Sequence, residues 1–362
     1  MSAAVTDPVR TGRGPFHDVR VARVDRLCDD AVAITFDIAP ELADAFRFRP
    51  GQSVTLRRAV DGREERRSYS ICAAAGRPLR IGVREVPGGL VSRWLVHDVR
   101  VGDLVEMQAP SGTFSPELGR SASHGLIAAG SGITPTLSIA ASLAADPNSD
   151  VVLLYGNRRS DTVMFADEVA DLKDGNPGRV QLVHVLSREP QEVELFNGRM
   201  DAAKLRELLP AVCAPQSIDH WWLCGPFGMV TDAAAVLSEL GVDPKAIHRE
   251  LFYVEEVAPP PARHVDAAVG PGCEVTVILD GRATTTTVAT GSTVLDGAQR
   301  VRPDLPFACK GGVCGTCRAK VVFGQVSMRR NFALEDDEVA DGFVLTCQAM
   351  PETDAVTVDY DA

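Results

Sequence analysis

The sequence predicts a multidomain chain of mixed α/β and β class: an antiparallel barrel, a parallel-sheet unit and a β-grasp domain in succession. Three observations carry this expectation. Short segments of period-two hydrophobicity, broken by turn signals, fill the first part of the chain. Apolar runs alternating with helical stretches follow, the pattern of a parallel sheet. Toward the C-terminus Cys309, Cys314 and Cys317 are spaced C-x4-C-x2-C, with Cys347 downstream. The boundaries that result are 14–119, 120–255 and 273–362, with a linker over 256–272.

A chain of 362 residues can hold two or three domains with their own cores, and 45% hydrophobic content is ordinary for a soluble globular protein. The formal net charge of −12 argues against nucleic acid as a partner, because phosphate binding needs clustered Lys and Arg. Residues 1–20 show no apolar core of a signal peptide. The stretch 121–145 lacks Asp, Glu, Lys and Arg, but Gly130, Gly132 and Pro135 interrupt it. It reads as strand, loop and helix rather than a membrane span, so a cytoplasmic chain is expected. Cys28, Cys72, Cys213, Cys224 and Cys273 are scattered, as reduced thiols are.

In the barrel, strands are expected at 19–24, 34–38, 53–56, 68–72, 79–86 and 103–108. Arg67-Ser68-Tyr69-Ser70 places a guanidinium, which can fork onto phosphate, beside a phenol that can cover a flat ring; on a strand the same pair also serves as plain surface and core. Gly88-Gly89-Leu90-Val91-Ser92 opens a short helix near Val96, where N–H groups and a hydroxyl make an anion cradle.

In the middle unit, strands are expected at 126–129, 151–155, 180–186, 221–224 and 246–249, and helices near 136–145, 161–172, 201–208 and 229–240. Gly130-Ser131-Gly132-Ile133-Thr134-Pro135 lies between strand and helix, where glycines admit a pyrophosphate at the helix start. The second strand ends Tyr155-Gly156-Asn157-Arg158-Arg159, with no carboxylate before Asp161; Ser187-Arg188 follows the third. Arginines where an NAD site carries an acid favour NADPH, the alternative being solvated loop charges. Cys224-Gly225-Pro226 and Glu250-Leu251-Phe252 close two strands, and Trp221 and Trp222 read as core.

Pro259-Pro260-Pro261 marks the linker as semi-rigid. A hairpin with its turn at Asp280-Gly281, and a helix over 294–300, then precede the cysteine loop. C-x4-C-x2-C…C is the plant-type [2Fe–2S] ligand pattern, in which two irons need four thiolates. Zinc would draw on paired ligand clusters, and the chain has no second C-x2-C; a disulfide framework suits small secreted chains. Gly311, Gly312 and Gly315 let the loop curl round a cluster. Lys310, Arg318, Lys320, Arg329 and Arg330 are either a docking patch for an acidic partner or plain surface charge.

In order, these motifs resemble those of the ferredoxin–NADP reductase superfamily with a C-terminal plant-type ferredoxin domain. The resemblance implies an FAD-binding barrel, an NAD(P)-binding domain and a [2Fe–2S] domain. It implies that Arg67 pairs with the flavin phosphate, Tyr69 packs on the isoalloxazine and Ser70 reaches flavin N5. Gly89, Leu90, Val91 and Ser92 become a second flavin-phosphate site. Gly130, Gly132, Thr134 and Pro135 become the pyrophosphate loop, and Arg158, Ser187 and Arg188 the 2′-phosphate contacts. Cys224, with Gly225 and Pro226, lies beside nicotinamide C4, which makes Ser70 and Cys224 the implied catalytic positions; Glu250 and Phe252 close the flavin site. Cys309, Cys314, Cys317 and Cys347 are the implied metal ligands, and FAD rather than FMN comes from the resemblance alone.

More narrowly, Phe48-Arg49-Pro50-Gly51-Gln52, Tyr155-Gly156-Asn157-Arg158, Asn331-Phe332-Ala333-Leu334-Glu335 and Leu345-Thr346-Cys347-Gln348-Ala349 resemble the phenylacetyl-CoA epoxidase reductase family. That resemblance implies electron transfer from NADPH, through FAD and a [2Fe–2S] cluster, to a separate di-iron oxygenase in phenylacetate catabolism. The reductase of a steroid or other aromatic-ring hydroxylase is the alternative. A stand-alone NAD(P)H reductase would have no use for the four cysteines, and a ferredoxin-like binding module none for the nucleotide motifs.

Overall fold

The structure is a computed structural model that describes residues 15–60, 63–252, 272–334 and 336–362. The chain divides into two units, Met1–Phe252 and Tyr253–Ala362. The predicted linker lies outside the described residues except for Gly272, which opens a strand.

The first unit begins with β1 (His17–Cys28), β2 (Ala31–Asp37), β3 (Ser53–Val60), β4 (Arg63–Ser70) and β5 (Arg80–Arg84). Helix α1 (Leu90–His97) and β6 (Leu104–Met107) follow. These strands form one antiparallel sheet in the order β4-β3-β6-β1-β2-β5, and an Ile71–Ile81 bridge brings its two ends together. Val19, Val21, Val32, Ile34, Leu56 and Ile81 point into its core, as the period-two pattern requires.

Strand β4 pairs with β3 from Ser70 back to Arg63, well before the predicted start at Ser68. Its sequence, REERRSYS, has no apolar alternation to announce it. Charge pairing stands in: Arg66 Nε meets Glu64 at 2.6 Å and Arg57 bonds Glu106, while both guanidinium groups lie over the Phe16 ring.

The unit continues with β7 (Ala122–Ala129), α2 (Ile133–Ala144), β8 (Ser149–Asn157), α3 (Ala166–Asp174) and β9 (Val180–Leu186). It ends with α4 (Ala202–Val212), β10 (His220–Gly225), α5 (Phe227–Glu239) and β11 (Ile247–Leu251). The sheet is fully parallel, in the order β11-β10-β7-β8-β9. Its order reverses at β7, so the binding crevice of such a sheet falls at the C-terminal ends of β7, β8 and β10. Trp221 and Trp222 are buried, as expected for core, and Trp222 meets Phe114 edge-on at 5.2 Å. Helix α4 runs past Pro210, beyond its predicted end at Leu208; the carbonyl that loses its donor belongs to exposed Arg206, where water can serve it.

The second unit comprises β12 (Gly272–Leu279), β13 (Arg282–Ala289), α6 (Val294–Ala298), β14 (Arg318–Phe323) and β15 (Val326–Met328). After these come α7 (Asp336–Ala340), β16 (Phe343–Leu345), β17 (Ala349–Pro351) and β18 (Ala355–Asp359). Its main sheet, β13-β12-β18-β14-β16, is mixed: β12 runs parallel to β18 and antiparallel to β13, the β-grasp arrangement. The predicted hairpin turn is present, with positive φ at Asp280 (54°) and Gly281 (67°). Among the described residues no helix is long and apolar enough to cross a membrane.

Candidate functional site

In the first unit, the parallel pairing of β10 with β11 sets Cys224 opposite Glu250. Ser70, at the end of β4, donates its hydroxyl to Glu250 Oε2 at 3.1 Å. Three residues far apart in the chain therefore meet where the barrel touches the sheet. Burial pushes the Glu250 carboxyl up to about 8, with the Ser70 hydroxyl partly opposing it. Burial, then the Glu250 charge, raises the Cys224 thiol. At neutral pH the cluster is thus mainly uncharged. Tyr69 is half-buried, its phenol pushed up by desolvation, and Arg67 is half-exposed with Glu65 at 3.1 Å.

Gly89 caps α1, and a Cβ there would stand 2.5 Å from Ser92 Oγ. The Ser92 hydroxyl accepts from Val86 N at 3.1 Å and donates to Gly89 O at 3.4 Å, so it shapes this loop from within. Leu90 is exposed and Val91 buried.

The glycine loop approaches the end of β10 closely. A Cβ on Gly132 would lie 2.1 Å from the Cys224 carbonyl oxygen, which no side chain can relieve. Gly130 has φ +55° and its carbonyl accepts from the buried Tyr155 hydroxyl at 3.1 Å. Thr134 is buried, its hydroxyl bonded to the Ser131 carbonyl at 3.0 Å, and Pro135 is buried within α2. The Thr134 bond ties the start of α2 to the loop. Gly225 packs against Met229, Pro226 precedes α5, and Phe252 lies just past β11, about one-third exposed (36%).

Beyond β8, Arg158 and Arg188 are exposed, joined by a backbone bond from Arg188 N to Arg158 O at 2.8 Å. Neighbouring carboxylates are engaged elsewhere: Asp161 pairs with Arg159 at 2.9 Å, and Glu189 accepts from Ser160 N at 2.8 Å. Among the described residues neither Arg158 nor Arg188 has an acidic partner. The Ser187 hydroxyl donates to the Asn157 carbonyl at 3.3 Å.

In the second unit the four cysteines are free thiols that lie near one another, with Cys314 beside Cys309, and Cys347, Cys314 and Cys309 all close to Cys317. Positive φ at Lys310 (51°), Gly312 (82°) and Gly315 (65°) curls the loop, whereas Gly311 needs no such conformation. The Cys314 thiol, and the N–H groups of Gly311, Val313 and Cys314, hold the Cys309 thiol below its ordinary value against the opposing effect of burial. Thr346 donates both N–H and hydroxyl to the Cys317 carbonyl, at 3.1 and 2.9 Å, and thereby sets Cys347 beside Cys317. Gln348 Nε2 reaches the Lys310 carbonyl at 2.9 Å and the Cys347 sulfur at 3.5 Å.

Among the described residues no three His, Cys, Asp or Glu side chains converge on one ion. Cys309, Cys314, Cys317 and Cys347 would suit a two-iron group, and the Gly311 N–H directed at the Cys309 sulfur at 3.3 Å fits that reading. Of the five basic residues that read as either a docking patch or plain surface charge, three have partners within the unit. Lys310 binds Asp296 at 2.9 Å, Arg318 binds Glu338 at 2.9 Å and Arg329 binds the Gly291 carbonyl at 2.9 Å.

Sequence reasoning missed the contacts that join barrel and sheet. Arg80 forms two bonds to Glu168, at 2.8 and 2.7 Å, and Arg84, steadied by Asp30 within the barrel, bonds the Thr162 carbonyl. Strand placement alone gives no signal for either.

Three family profiles match the chain: an oxidoreductase FAD-binding domain over 18–115, an oxidoreductase NAD-binding domain over 126–235 and a 2Fe-2S iron–sulfur cluster binding domain over 277–352. The chain is 42% identical to a subunit of 1,2-phenylacetyl-CoA epoxidase from Escherichia coli (strain K12), over 96% of this chain and 98% of that protein. It is 32% identical to the 3-ketosteroid-9-alpha-monooxygenase ferredoxin reductase component of Mycobacterium tuberculosis (strain ATCC 25618 / H37Rv), over 95% and 96% of the two chains. Among solved structures, phthalate dioxygenase reductase shares the fold with a TM-score of 0.59 at 22% identity, covering 95% of this chain and 98% of that one.

Proposed function

This chain belongs to the phenylacetyl-CoA epoxidase reductase family of the ferredoxin–NADP reductase superfamily, and we propose that it passes electrons from NADPH to a di-iron oxygenase that epoxidises phenylacetyl-CoA. It is an oxidoreductase with FAD-binding, NAD-binding and [2Fe–2S] domains, of the kind that serves an oxygenase. When bound, FAD and the cluster supply the conversion of a hydride electron pair into single electrons. The chain's own residues bind, orient and shield.

Arg67 and the loop at Gly89, Leu90, Val91 and Ser92 would hold the flavin phosphates, with Tyr69 covering the ring. Ser70, Cys224 and Glu250 would line the place where nicotinamide and flavin meet. Ser70 fixes the Glu250 carboxyl, and the neutral Cys224 thiol keeps that place free of charge. Phe252, with Gly225 and Pro226, would border it. Gly130 and Gly132 let the backbone approach the pyrophosphate, braced by Thr134 and Pro135. Arg158 and Arg188, with Ser187 beside them, would take the 2′-phosphate, which favours NADPH over NADH. Cys309, Cys314, Cys317 and Cys347 would ligate the cluster.

The single observation that carries the reading is the meeting of Ser70, Glu250 and Cys224 within one site. A cytoplasmic setting suits a chain that draws on NADPH.

The test supplies NADPH, phenylacetyl-CoA and the purified di-iron epoxidase subunits, with or without this protein. Epoxide formed only in its presence is the expected result. NADPH oxidation that yields peroxide alone would keep the reductase and sink the partner. The same assay with a steroid ring hydroxylase then decides the second reading, which the 32% relative supports.

A further inference from the structure

Strands β8 and β9 end at Asn157 and Leu186, and the loops that leave them carry Arg158 and Arg188. Two backbone bonds extend the pairing past the strands, from Ser187 N to Asn157 O at 3.0 Å and from Arg188 N to Arg158 O at 2.8 Å. There a side chain takes over. The Glu189 carboxylate crosses to the β8 loop, where Oε2 accepts from Ser160 N at 2.8 Å. The Ser160 hydroxyl donates to the same carboxylate, 2.8 Å from Oε1 and 3.0 Å from Oε2. Ser160 opens the short turn Ser160–Thr162, so this clamp closes just beyond the two arginines.

The clamp also settles the charges of the two loops. An ionised Glu189, next to Arg188 in the chain, would otherwise be free to fold back and occupy a guanidinium group. The Ser160 N–H and hydroxyl hold its carboxyl below the ordinary value, so it is ionised yet turned onto Ser160. Asp161 is engaged by Arg159 in a two-point contact at 3.1 and 2.9 Å. Arg158 and Arg188 are left exposed, with no acidic partner among the described residues.

We propose that Glu189 is a positioning residue for nucleotide selectivity: through Ser160 it locks the loops after β8 and β9 together and holds Arg158 and Arg188 at one spacing for a 2′-phosphate. This rests on the NADPH reading above. Two guanidinium groups already held at a fixed spacing lose less freedom on gripping a phosphate than two on independent loops. The Glu189 charge acts in the opposite sense, by repelling the phosphate. The clamp is the larger effect, because salt screens a charge on an exposed loop.

The experiment measures, by calorimetry on the full holoprotein, the affinities of the wild type, Glu189→Ala and Glu189→Gln for 2′,5′-ADP and for ADP. The Gln amide keeps an acceptor for Ser160 N and removes the charge. Glu189→Ala is expected to bind 2′,5′-ADP about 5-fold more weakly, the worth of one hydrogen bond, and ADP within about 2-fold of the wild type. Glu189→Gln should hold 2′,5′-ADP at least as tightly as the wild type does. KM for NADPH should rise about 5-fold in Glu189→Ala, with KM for NADH, kcat and FAD content unchanged. A Glu189→Ala protein that binds 2′,5′-ADP as tightly as the wild type, or more tightly, overturns the proposal, since the carboxylate then acts through its charge or not at all. Equal losses for the two probes overturn it as well. A wild type that binds both probes alike removes the 2′-phosphate reading, and the clamp's role with it, an outcome visible before any variant is made.

Discussion

Replacing Glu250 by Gln tests whether the meeting point of barrel and sheet is uncharged. Desolvation raises the carboxyl from 4.5 to about 8. A raised folded value means that the folded state holds the proton more tightly. The stabilisation is complete below the unfolded value and is withdrawn as pH rises through 8. Linkage with these two values gives about 3 kcal/mol at pH 6, about 1 kcal/mol at pH 7 and almost nothing by pH 9. The wild type should therefore lose about 3 kcal/mol between pH 6 and 9 that Glu250→Gln, which cannot titrate, does not lose. For a unit of this size that is roughly 5–10 °C in Tm. Trp94, Trp221 and Trp222, the chain's three tryptophans, all lie in the first unit, so urea titration followed by their fluorescence reads that unit within the full protein. Subtracting the two pH profiles removes every other titrating group. If the profiles run parallel from pH 6 to 9, the carboxyl is not held neutral and the electrostatic account of the site is wrong.

Two further outcomes follow from the sites. Arg158→Ala with Arg188→Ala should raise KM for NADPH by at least about 10-fold, the strength of a lost charge-assisted hydrogen bond, and leave NADH nearly unchanged; equal losses for both nucleotides would remove the 2′-phosphate role. Cys347→Ser should abolish the visible absorbance of the [2Fe–2S] centre while FAD content and NADPH-driven dye reduction persist. Loss of FAD in that variant and in the Cys309, Cys314 and Cys317 counterparts alike would contradict a modular chain.

What the sequence made legible was whatever is encoded locally. The C-x4-C-x2-C spacing, the glycines between β7 and α2 and the hairpin turn at Asp280-Gly281 each depend on neighbours within a few residues. Period-two alternation found most of the barrel strands for the same reason, and it failed at β4, where charge pairs replace apolar ones. Residue type alone left the basic residues near the cluster as either a docking patch or plain surface charge. The structure instead gives Lys310, Arg318 and Arg329 internal partners that spacing could not indicate.

The rest of the site is non-local. Ser70 and Glu250 stand 180 positions apart, and nothing near either of them encodes their contact. That contact depends on how the barrel is fastened to the sheet, and β5 does the fastening with two arginines on one strand face. Arg80 reaches Glu168 at the start of α3, and Arg84 reaches the Thr162 carbonyl just before that helix. The Arg80 side chain is 14% exposed and its fork is bidentate, so it holds orientation as well as distance. Gly82, between the two, has no side chain, and a Cβ there would stand 2.5 Å from Thr134 Cγ2 and 2.8 Å from Phe165 Cζ. Close approach at Gly82 and the two flanking guanidinium contacts therefore form one joint. On its far side lie the glycine loop that begins α2 and the strand end that carries Cys224. The same three residues of β5, read as sequence, are an Arg, a Gly and an Arg at alternating strand positions. Only the partners they meet across the interface give them a part in positioning Ser70 against Glu250.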